Sequence, residues 1–400
     1  MVDSFIPQIR FKMCKNQWEK IKLSKIAKFN PKSTLPEKFK YVDLESVLGT
    51  DLISYREVSR ENAPSRAQRL AQKGDIFYQT VRPYQKNNYL FDSDEKDYVF
   101  STGYAQLRPL IDSAFLLARL QEESFVNKVL ERCTGTSYPA INSKDLSKIS
   151  VTIPQTIEEQ SAIGTLFLTL DDLLSSYKNN LANYQSLKAT MLSKMFPKAG
   201  HTVPEIRLDG FEGDWELLEI NDLADDFQSG GTPKTNVQEY WNGNIPWIQS
   251  SDLETNCLFE TKVQKSISEK GLKNSSAKII PKDSIAVVTR VGVGKLVVMQ
   301  HEYATSQDFL SLSNLKSNIE FTAYLLYRLL QKEVTQLQGT SIKGITKVEL
   351  LSKKVLIPSL PEQQAIGAYF SNLDNLINSY QEKISQLETL KKKFLQDMFI

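Results

Sequence analysis

Two stretches of the chain place apolar residues at a seven-residue spacing, with a second apolar set three or four residues away. Over residues 362–399 the two sets are Ile366, Leu373, Tyr380, Leu387 and Phe394, and Phe370, Ile377 and Ile384. Over residues 159–196 they are Ile163, Leu170, Tyr177, Tyr184 and Met191, and Phe167, Leu174 and Leu181. This heptad pattern predicts two long helices, each with one apolar stripe.

Each stripe needs a surface against which it is buried. The other helix carries an equivalent stripe, which predicts that the two helices pair within the chain as an antiparallel coiled coil. The alternative is that each stripe packs on its own neighbouring globular region. Both helices follow an Ile-Pro dipeptide, which blocks helical continuation upstream.

The two stretches are copies of one another. At an offset of 203, residues 159–196 and 362–399 are identical at 16 of 38 positions. Each copy has a lysine in its stripe, Lys188 or Lys391, and an acid in its first turn, Glu159 or Glu362, where the helix dipole favours a negative charge. The beginnings of the two halves also match, at an offset of 197; the pairs include Ile9 with Ile206, Arg10 with Arg207, and Trp18 with Trp215. The chain is therefore an internal duplication.

Ahead of each long helix lies a globular region with short apolar and β-branched runs bounded by turn residues. These runs predict strands at 41–47, 75–81, 284–289 and 296–300, and closing strands at 148–153 and 353–357; helical spacing predicts helices at 114–130 and 323–337. Each of these helices precedes a Gly-Thr-Ser turn, at 135–137 and 339–341. The predicted fold class is α+β, with two mixed α/β domains in a tandem pseudo-symmetric repeat joined by two long helices. The domain bounds are 1–152, 153–198, 199–356 and 357–400.

Composition agrees with a folded protein outside the membrane: 41% of residues are apolar and 24% charged. No apolar run is long enough to span a bilayer, and the first residues contain no apolar signal core, so we expect a cytoplasmic protein. The net charge of +2 is unevenly spread, because residues 261–300 hold eight bases and two acids. Such a region suits a polyanion, although an unevenly charged solvated surface explains it equally well.

The motifs of the common catalytic and metal sites are missing. Three separated cysteines and two histidines exclude a conventional zinc site. The segment 244–247 lacks the second proline of an adenine methyltransferase loop, and 292–296 lacks the length and hydroxyl residue of a phosphate-binding loop. A nuclease cluster of carboxylates stays open, because its geometry is not readable from sequence. We expect no catalytic, cofactor or metal site in the chain itself.

Four segments carry a resemblance to a known family: IPQTIEEQSAIGTLFLTLDDLL (153–174), IPSLPEQQAIGAYFSNLDNLI (357–377), GGTPKTNVQEYWNGNIPWIQSSDL (230–253) and GTSIKGITKVEL (339–350). They resemble the DNA-sequence specificity subunit of type I restriction-modification systems, and the resemblance covers nearly the entire chain. The first region departs from the family pattern, since it lacks the Gly-Gly-Thr-Pro…Tyr-Trp segment.

The resemblance implies two target-recognition domains, each reading one half of a split, asymmetric site in double-stranded DNA. It also implies that the helices space the domains and bind two methyltransferase (M) subunits, with restriction/translocase (R) subunits joining the complex. S-adenosylmethionine, ATP and Mg are expected on those partners and not on this chain. If the helices act as a ruler, one added helical turn of about 5.4 Å lengthens the spacer by one or two base pairs of about 3.4 Å.

We select candidate residues for contact with the base edges of DNA among the polar and basic side chains in loops that follow strands. The residues selected are Gln79, Arg82, Tyr84, Gln85, Lys86 and Asn87 in the first region, and Lys234, Thr235, Asn236, Gln249, Ser250, Arg290 and Lys295 in the second. For each one, an ordinary polar loop residue is the alternative. Two rival functions also remain: a freestanding restriction nuclease-methyltransferase, and a coiled-coil scaffold with no nucleic-acid role.

Overall fold

The first part of each long helix and the last part of the other helix belong to the same compact unit. Unit 1 consists of residues 1–181 and 380–400, and unit 2 consists of residues 182–379. The computed structural model describes residues 7–12, 14, 16–337 and 344–399. The predicted 339–341 turn therefore lies outside the described residues.

Unit 1 is a mixed α/β unit. Its strands are β1 (Glu19–Lys22), β2 (Ala27–Phe29), β3 (Lys38–Val42), β4 (Val47–Leu48), β5 (Asp51–Leu52), β6 (Arg56–Ser59), β7 (Ala67–Leu70), β8 (Ile76–Gln79), β9 (Tyr89–Leu90), β10 (Tyr98–Ser101), β11 (Tyr104–Pro109) and β12 (Ser150–Ile153). Its helices are α1 (Leu23–Ile26), α2 (Ser113–Gln121), α3 (Glu123–Leu130), α4 (Ser143–Ser147) and the first part of α5 (Ile157–Lys194).

Unit 2 has the same mixed character. Its strands are β13 (Glu216–Glu219), β14 (Ala224–Ser229), β15 (Trp241–Ile248), β16 (Lys265–Ile267), β17 (Ser284–Val288), β18 (Leu296–Met299), β19 (Ala304–Thr305), β20 (Phe309–Leu315) and β21 (Lys354–Ile357). Its helices are α6 (Glu269–Lys273), α7 (Ile319–Leu337), α8 (Lys347–Leu351) and the first part of α9 (Leu360–Asp397).

The two units share their strand order. A four-stranded antiparallel sheet runs β2-β11-β8-β9 in unit 1 and β14-β20-β17-β18 in unit 2. A second sheet runs β6-β3-β10-β7 in unit 1 and β16-β15-β19 in unit 2, so β7 has no equivalent among the described strands of unit 2. In these sheets β3 and β15 each have one parallel neighbour, β10 or β19. The pairs β1-β12 and β13-β21 complete the match. The predicted tandem α+β repeat is confirmed.

The predicted helix at 114–130 is in fact two helices, α2 and α3. Glu122 between them has extended backbone angles, and its carboxylate accepts the backbone N–H groups of Ser124 and Phe125 at 2.6 and 3.0 Å. It therefore caps the start of α3 and ends the helical path of α2. Apolar spacing continues through this point, which is why the sequence pattern did not show the break.

Within each unit the two long helices pack antiparallel. In unit 1, the rings of Tyr177 and Tyr380 lie 5.6 Å apart, and Asp171, six residues earlier in α5, binds Lys391, which is further along α9. In unit 2, Lys188 Nζ lies 2.5 Å from Asp374 Oδ1. The predicted helix pairing is therefore confirmed inside each unit.

The alternative for the apolar stripes also holds near the start of each helix. Ile163 and Phe167 of α5 belong to the apolar core of unit 1, and Ile366 and Phe370 of α9 belong to that of unit 2. Each stripe therefore packs first on its own globular core and further along on the other helix.

The end of each long helix closes the core of the unit it enters. In unit 1, the ring of Phe399 lies 6.2, 5.8 and 5.7 Å from the rings of Trp18, Phe115 and Phe167. In unit 2 the equivalent cluster places Phe196 at 6.0, 5.5 and 6.1 Å from its neighbours, which are Trp215, Phe321 and Phe370. Removing a buried phenylalanine side chain from such a core costs about 3–5 kcal/mol.

An ion pair ties the start of each half to its long helix. Arg10 Nε and Nη2 donate to the Glu159 carboxylate at 2.6 and 2.7 Å, and Arg207 donates to Glu362 at 2.8 and 2.7 Å. Both carboxylates are buried. The hydrogen bonds raise the pKa of Arg10 and of Arg207. The paired first-turn acids thus act mainly as anchors for an arginine, beyond any effect of the helix dipole.

Candidate nucleic-acid interface

The loops that hold the selected residues of unit 2 meet at one end of its sheets. The backbone N–H of Thr289, after β17, donates to Asp308 O at 2.7 Å, and that of Gly231, after β14, donates to Thr305 O at 2.8 Å. Ser306 N–H donates to Ile248 O, at the end of β15, at 2.9 Å. These bonds join four connections into one surface, which we call the loop end of unit 2.

The Gly-Gly pair at 230–231 serves this close approach. A Cβ on Gly230 would overlap the side chain and carbonyl of Thr305, and one on Gly231 would overlap Ser276. Any larger side chain would push the loop away from the sheet. The pair is therefore a packing feature that permits a tight loop at this point.

The loop that follows carries three of the selected residues, Lys234, Thr235 and Asn236, and all three are exposed. Trp241 fixes this loop, because its indole N–H donates to Lys234 O at 3.2 Å. The ring of Trp241 lies 5.1 Å from that of Trp247 and perpendicular to it. Three hydrogen-bonding side chains are thus presented on a braced loop.

Gln249 and Ser250 directly follow β15 and are half-buried. The side-chain oxygen of Gln249 accepts a hydrogen bond from Lys265 Nζ at 3.4 Å. The same ammonium group lies 5.8 Å from the ring centres of Trp241 and of Trp247, within the range of a cation–π contact. Lys265, which the sequence analysis did not select, therefore belongs to the same surface.

Arg290 and Lys295 flank the β17–β18 turn and differ in what they do. Arg290 is exposed and lines a cleft of about 840 Å³ together with Gln307 and Lys347. Lys295 Nζ instead donates to Leu253 O at 2.7 Å and is half-buried. Arg290 is free to meet a ligand, whereas Lys295 holds the turn after β15 in place.

In unit 1 the selected residues are Gln79, which ends β8, and members of the loop between β8 and β9. Gln79 is 2% exposed, and its amide donates to Val81 O at 2.7 Å and to Gln85 Oε1 at 2.8 Å. Its predicted contact with a base is at odds with this burial, because its hydrogen bonds support the loop from inside. Gln79 is the last residue of β8, and all four residues of this strand are buried.

The other members of this loop lie nearer its surface. The Arg82 guanidinium lies 4.3 Å from the ring centre of Tyr138, and Lys86 Nζ is paired with Glu123 at 2.5 Å. Asn87 Oδ1 accepts the backbone N–H of Gly49 at 2.9 Å. Tyr84, half exposed, and Gln85, exposed, are the members most open to solvent.

The two groups of selected residues occupy equivalent places. Thr80 N–H and hydroxyl both donate to Gly103 O, and Thr289 N–H and hydroxyl both donate to Asp308 O. The carbonyl groups of the two threonines also have matching partners. The N–H of Ile141 donates to Thr80 O, and the N–H of Ile345 donates to Thr289 O. The loop after β8 is thus the counterpart of the β17–β18 turn, and we call the end of the unit 1 sheets that carries it the loop end of unit 1.

The strand order also identifies the counterpart of the Gly-Gly-Thr-Pro…Tyr-Trp segment. Residues 230–240 connect β14 to β15, and residues 30–37 connect the equivalent strands β2 and β3. The shared order therefore shows which loop takes its place in unit 1. Contact of these loops with DNA stays a prediction.

Within residues 7–12, 14, 16–337 and 344–399, no group of three or more His, Cys, Asp or Glu side chains is placed to hold a metal ion. Cys257 is half-buried, and burial raises the pKa of its thiol. Over the same part of the chain, no helix is long and apolar enough to cross a membrane.

Comparison with known proteins places these features in a family. The model of a family described as type I restriction modification DNA specificity domain matches residues 15–184 and 212–389. The type I restriction enzyme MjaIX specificity subunit of Methanocaldococcus jannaschii is 28% identical over 194 residues, which are 47% of this chain and 44% of that protein. The type I restriction enzyme HindI specificity subunit of Haemophilus influenzae is 22% identical over 416 residues, which cover 85% of this chain and 90% of that protein.

The chain thus spans less than half the length of the first relative and most of the second. Among solved structures, the S subunit of a type I restriction-modification system from M. genitalium superposes with a TM-score of 0.66 at 15% identity, over 98% of this chain and 99% of that one. That likeness supports the fold. Because the family model matches most of the sequence in two copies, the chain belongs to the type I restriction-modification DNA specificity family.

Proposed function

We propose that this chain is the DNA-specificity subunit of a type I restriction-modification complex, acting on double-stranded DNA in the cytoplasm. Each unit reads one half of an asymmetric bipartite site, and the chain itself carries no catalytic step. One observation supports this above all: the two units share a strand order yet differ in the loops at the same end of their sheets. Two unlike readers in one chain suit two unlike half-sites.

The exposed groups at the loop ends have the chemistry of base and phosphate contacts. Unit 2 presents Lys234, Asn236 and Arg290, and unit 1 presents Tyr84 and Gln85. Amide and guanidinium groups pair with base edges in the major groove, whereas lysine contacts to phosphates supply affinity without sequence information. Binding is therefore expected to weaken as salt rises, because phosphate contacts release counterions.

Exposed leucines support two copies of one partner. Leu173 and Leu390 in unit 1 are 41% and 38% exposed, and their repeat counterparts in unit 2, Leu376 and Leu187, are 40% and 37% exposed. The same apolar positions recurring in each unit suit two identical methyltransferase subunits, with restriction/translocase subunits joining through the complex. S-adenosylmethionine, ATP and Mg belong to those partners, which supply the methyl transfer and cleavage.

The experiment is base-resolved detection of methylated adenines in DNA from cells that express this chain together with its methyltransferase partner. A split motif is expected, and it should disappear when the chain is deleted. Exchanging residues 1–152 for those of a relative with another specificity should change one half of the motif and leave the other. No new methylation with an active methyltransferase would contradict the proposal and favour the scaffold.

The long helices set the distance between the half-sites in this proposal. Inserting one helical turn into α5 between heptads should lengthen the unspecified spacer by one or two base pairs, since a turn rises about 5.4 Å. The same methylation mapping gives the spacer length directly. An unchanged spacer in an active complex would reject the role of the helices as a ruler while leaving the specificity role intact.

A further inference from the structure

The same arrangement of three side chains lies at the end of β3 in unit 1 and at the end of β15 in unit 2. In unit 1 it consists of Arg56 on β6, Tyr41 on β3 and Asp43 after β3. Arg56 is the cross-strand partner of Tyr41, and its guanidinium lies 5.4 Å from the Tyr41 ring centre. Arg56 Nη2 also donates to Asp43 Oδ2 at 2.7 Å.

Unit 2 builds the same arrangement from different residues. Lys265 on β16 is the cross-strand partner of Trp247 on β15, and its ammonium lies 5.8 Å from the Trp247 ring centre. Its second contact is Gln249 Oε1, at 3.4 Å, on the first residue after β15. We call each set of cation, aromatic ring and polar side chain a trio.

The strand pairing shows that the trios are equivalent. The last residues of β3, Tyr41 and Val42, pair with the parallel strand β10, as Trp247 and Ile248 at the end of β15 pair with β19. Both aromatic rings are buried. The polar member also opens a turn in each unit: Asp43 accepts from Ser46, and Gln249 N–H donates to Asp252.

Each trio lies at the loop end of its unit. Tyr104, at the β10–β11 turn beside Thr80, donates its hydroxyl hydrogen to Asp43 O at 3.3 Å. Lys295 of the β17–β18 turn reaches the turn that Gln249 opens. The trios therefore lie among the loops that hold the selected DNA-contact residues.

The chemistry of the trios is that of an oriented reader. The Arg56 side chain is 63% exposed and that of Asp43 31%, so the Tyr41 ring and the carboxylate hold a guanidinium that still faces solvent. An exposed ion pair of this kind contributes about 0–1 kcal/mol to stability, but holding the tip in one place lowers the entropy cost of binding. A guanidinium held on one side by a carboxylate keeps further N–H groups for the O6 and N7 of guanine.

We propose that the two trios are base-reading positions, with Arg56 reading a guanine in one half-site and Gln249 reading an adenine in the other. The Gln249 amide is oriented by Lys265 at its oxygen and by Asp252, which accepts from its nitrogen at 3.5 Å. This inference rests on the proposed function and deepens it by naming specificity-determining residues. The strand pairing that positions the trios is common to both units. The trios differ in their residues, which are Arg, Tyr and Asp in unit 1 and Lys, Trp and Gln in unit 2, and this difference accounts for different bases being read.

The test uses the full chain in complex with its methyltransferase partner and maps methylated motifs at base resolution. Arg56→Lys keeps the charge and removes the paired N–H groups, so discrimination at one position of one half-site should fall about tenfold or more. Gln249→Ala should relax one position of the other half-site only. Lys265→Met should weaken the same position as Gln249→Ala, because it removes the group that orients the amide.

Matched controls are exposed ion-paired lysines away from the loop ends. Lys73, paired with Asp94, precedes β8, and Lys316, paired with Asp225, follows β20 at the end opposite the loops. Lys73→Gln and Lys316→Gln should leave the motif unchanged. Thermal unfolding of every variant separates misfolding from altered reading.

The outcomes separate this inference from the function on which it rests. No motif with the unmodified chain would overturn the proposed function itself. An unchanged motif in folded Arg56→Lys and Gln249→Ala variants would overturn the reading role of the trios alone. A uniform drop of methylation at all sites, with no position relaxed, would also overturn it, since it would assign these residues to phosphate contact.

Discussion

Unit 1 and unit 2 differ least where the chain packs and most where it faces solvent. The sheet order, the aromatic cluster and the arginine–glutamate anchor recur in both. The connection from β2 to β3 in unit 1 differs in sequence from its counterpart from β14 to β15 in unit 2, and so does the loop after β8 from that after β17. Duplication has therefore kept the parts that depend on close packing and changed those that packing does not constrain.

The largest expected effect comes from removing, in one unit at a time, the phenylalanine ring at the end of the long helix that closes the core. Phe399→Ala should destabilise unit 1, and Phe196→Ala unit 2, by about 3–5 kcal/mol each, because both rings are buried in equivalent clusters. Urea unfolding followed by hydrogen exchange in each unit measures the effect. Leu390→Ala and Leu187→Ala, at exposed positions of the same helices, should cost less than about 1 kcal/mol. Equal loss of protection in both units from either phenylalanine variant would contradict the equivalence.

The anchors allow a finer comparison. Glu159 also accepts the indole N–H of Trp18 at 3.1 Å, whereas the indole nitrogen of Trp215 has no hydrogen-bond partner among the described residues. In the Arg10→Ala variant, the Glu159 carboxylate therefore keeps the hydrogen bond from the Trp18 indole. In the Arg207→Ala variant, Glu362 has no equivalent hydrogen bond from the Trp215 indole. Both should cost at least about 2 kcal/mol, with Arg207→Ala the costlier by about 1 kcal/mol.

Denaturant midpoints of the two arginine variants decide this. Pairing Arg207→Ala with Glu362→Gln should recover part of the loss, since the buried charge is then removed. An Arg10→Ala variant as unstable as Arg207→Ala would show that the indole contact contributes nothing.

The smallest expected difference concerns acid. Hydrogen bonds from Lys198 and Lys194 lower the pKa of Glu205 to about 2, and the repeat counterpart in unit 1 is Gln8. A carboxyl group whose pKa is lowered by folding stabilises the folded state at any pH above the pKa of the unfolded chain, about 4.5. This stabilisation is lost as the pH falls from about 4.5 towards 2. Acid unfolding of unit 2 should thus shift slightly to higher pH in Glu205→Gln, with little change at pH 7. An unaltered acid midpoint would show that the pairing is too exposed to matter.

The sequence predicted those elements whose signal is local and repeated. The heptads predicted helices over 159–196 and 362–399, and α5 and α9 lie at Ile157–Lys194 and Leu360–Asp397. Long periodic patterns leave little choice, because one face must be buried over many turns. The internal repeat then predicted the tandem architecture.

Features that join distant residues were not readable in the same way. Arg10 and Glu159 were each noted as repeated, but nothing in the sequence connects positions 149 apart into an ion pair. The burial of Gln79 depends on where β8 ends, and the trios depend on the pairing of β3 with β6 and of β15 with β16. Side chains 15 or 18 positions apart meet there only because strands align, and short strands have weakly marked ends.

The closure of unit 1 by residues near Phe399 has a consequence for the order of synthesis. Its first part, residues 1–181, leaves the ribosome before all of unit 2, and its last part, residues 380–400, follows unit 2. Until then Trp18, Phe115 and Phe167 lack their fourth ring, and the apolar stripe of α5 in unit 1 lacks its cover. The half made first is therefore the half completed last, and during translation its apolar surface stays exposed for longer than that of unit 2.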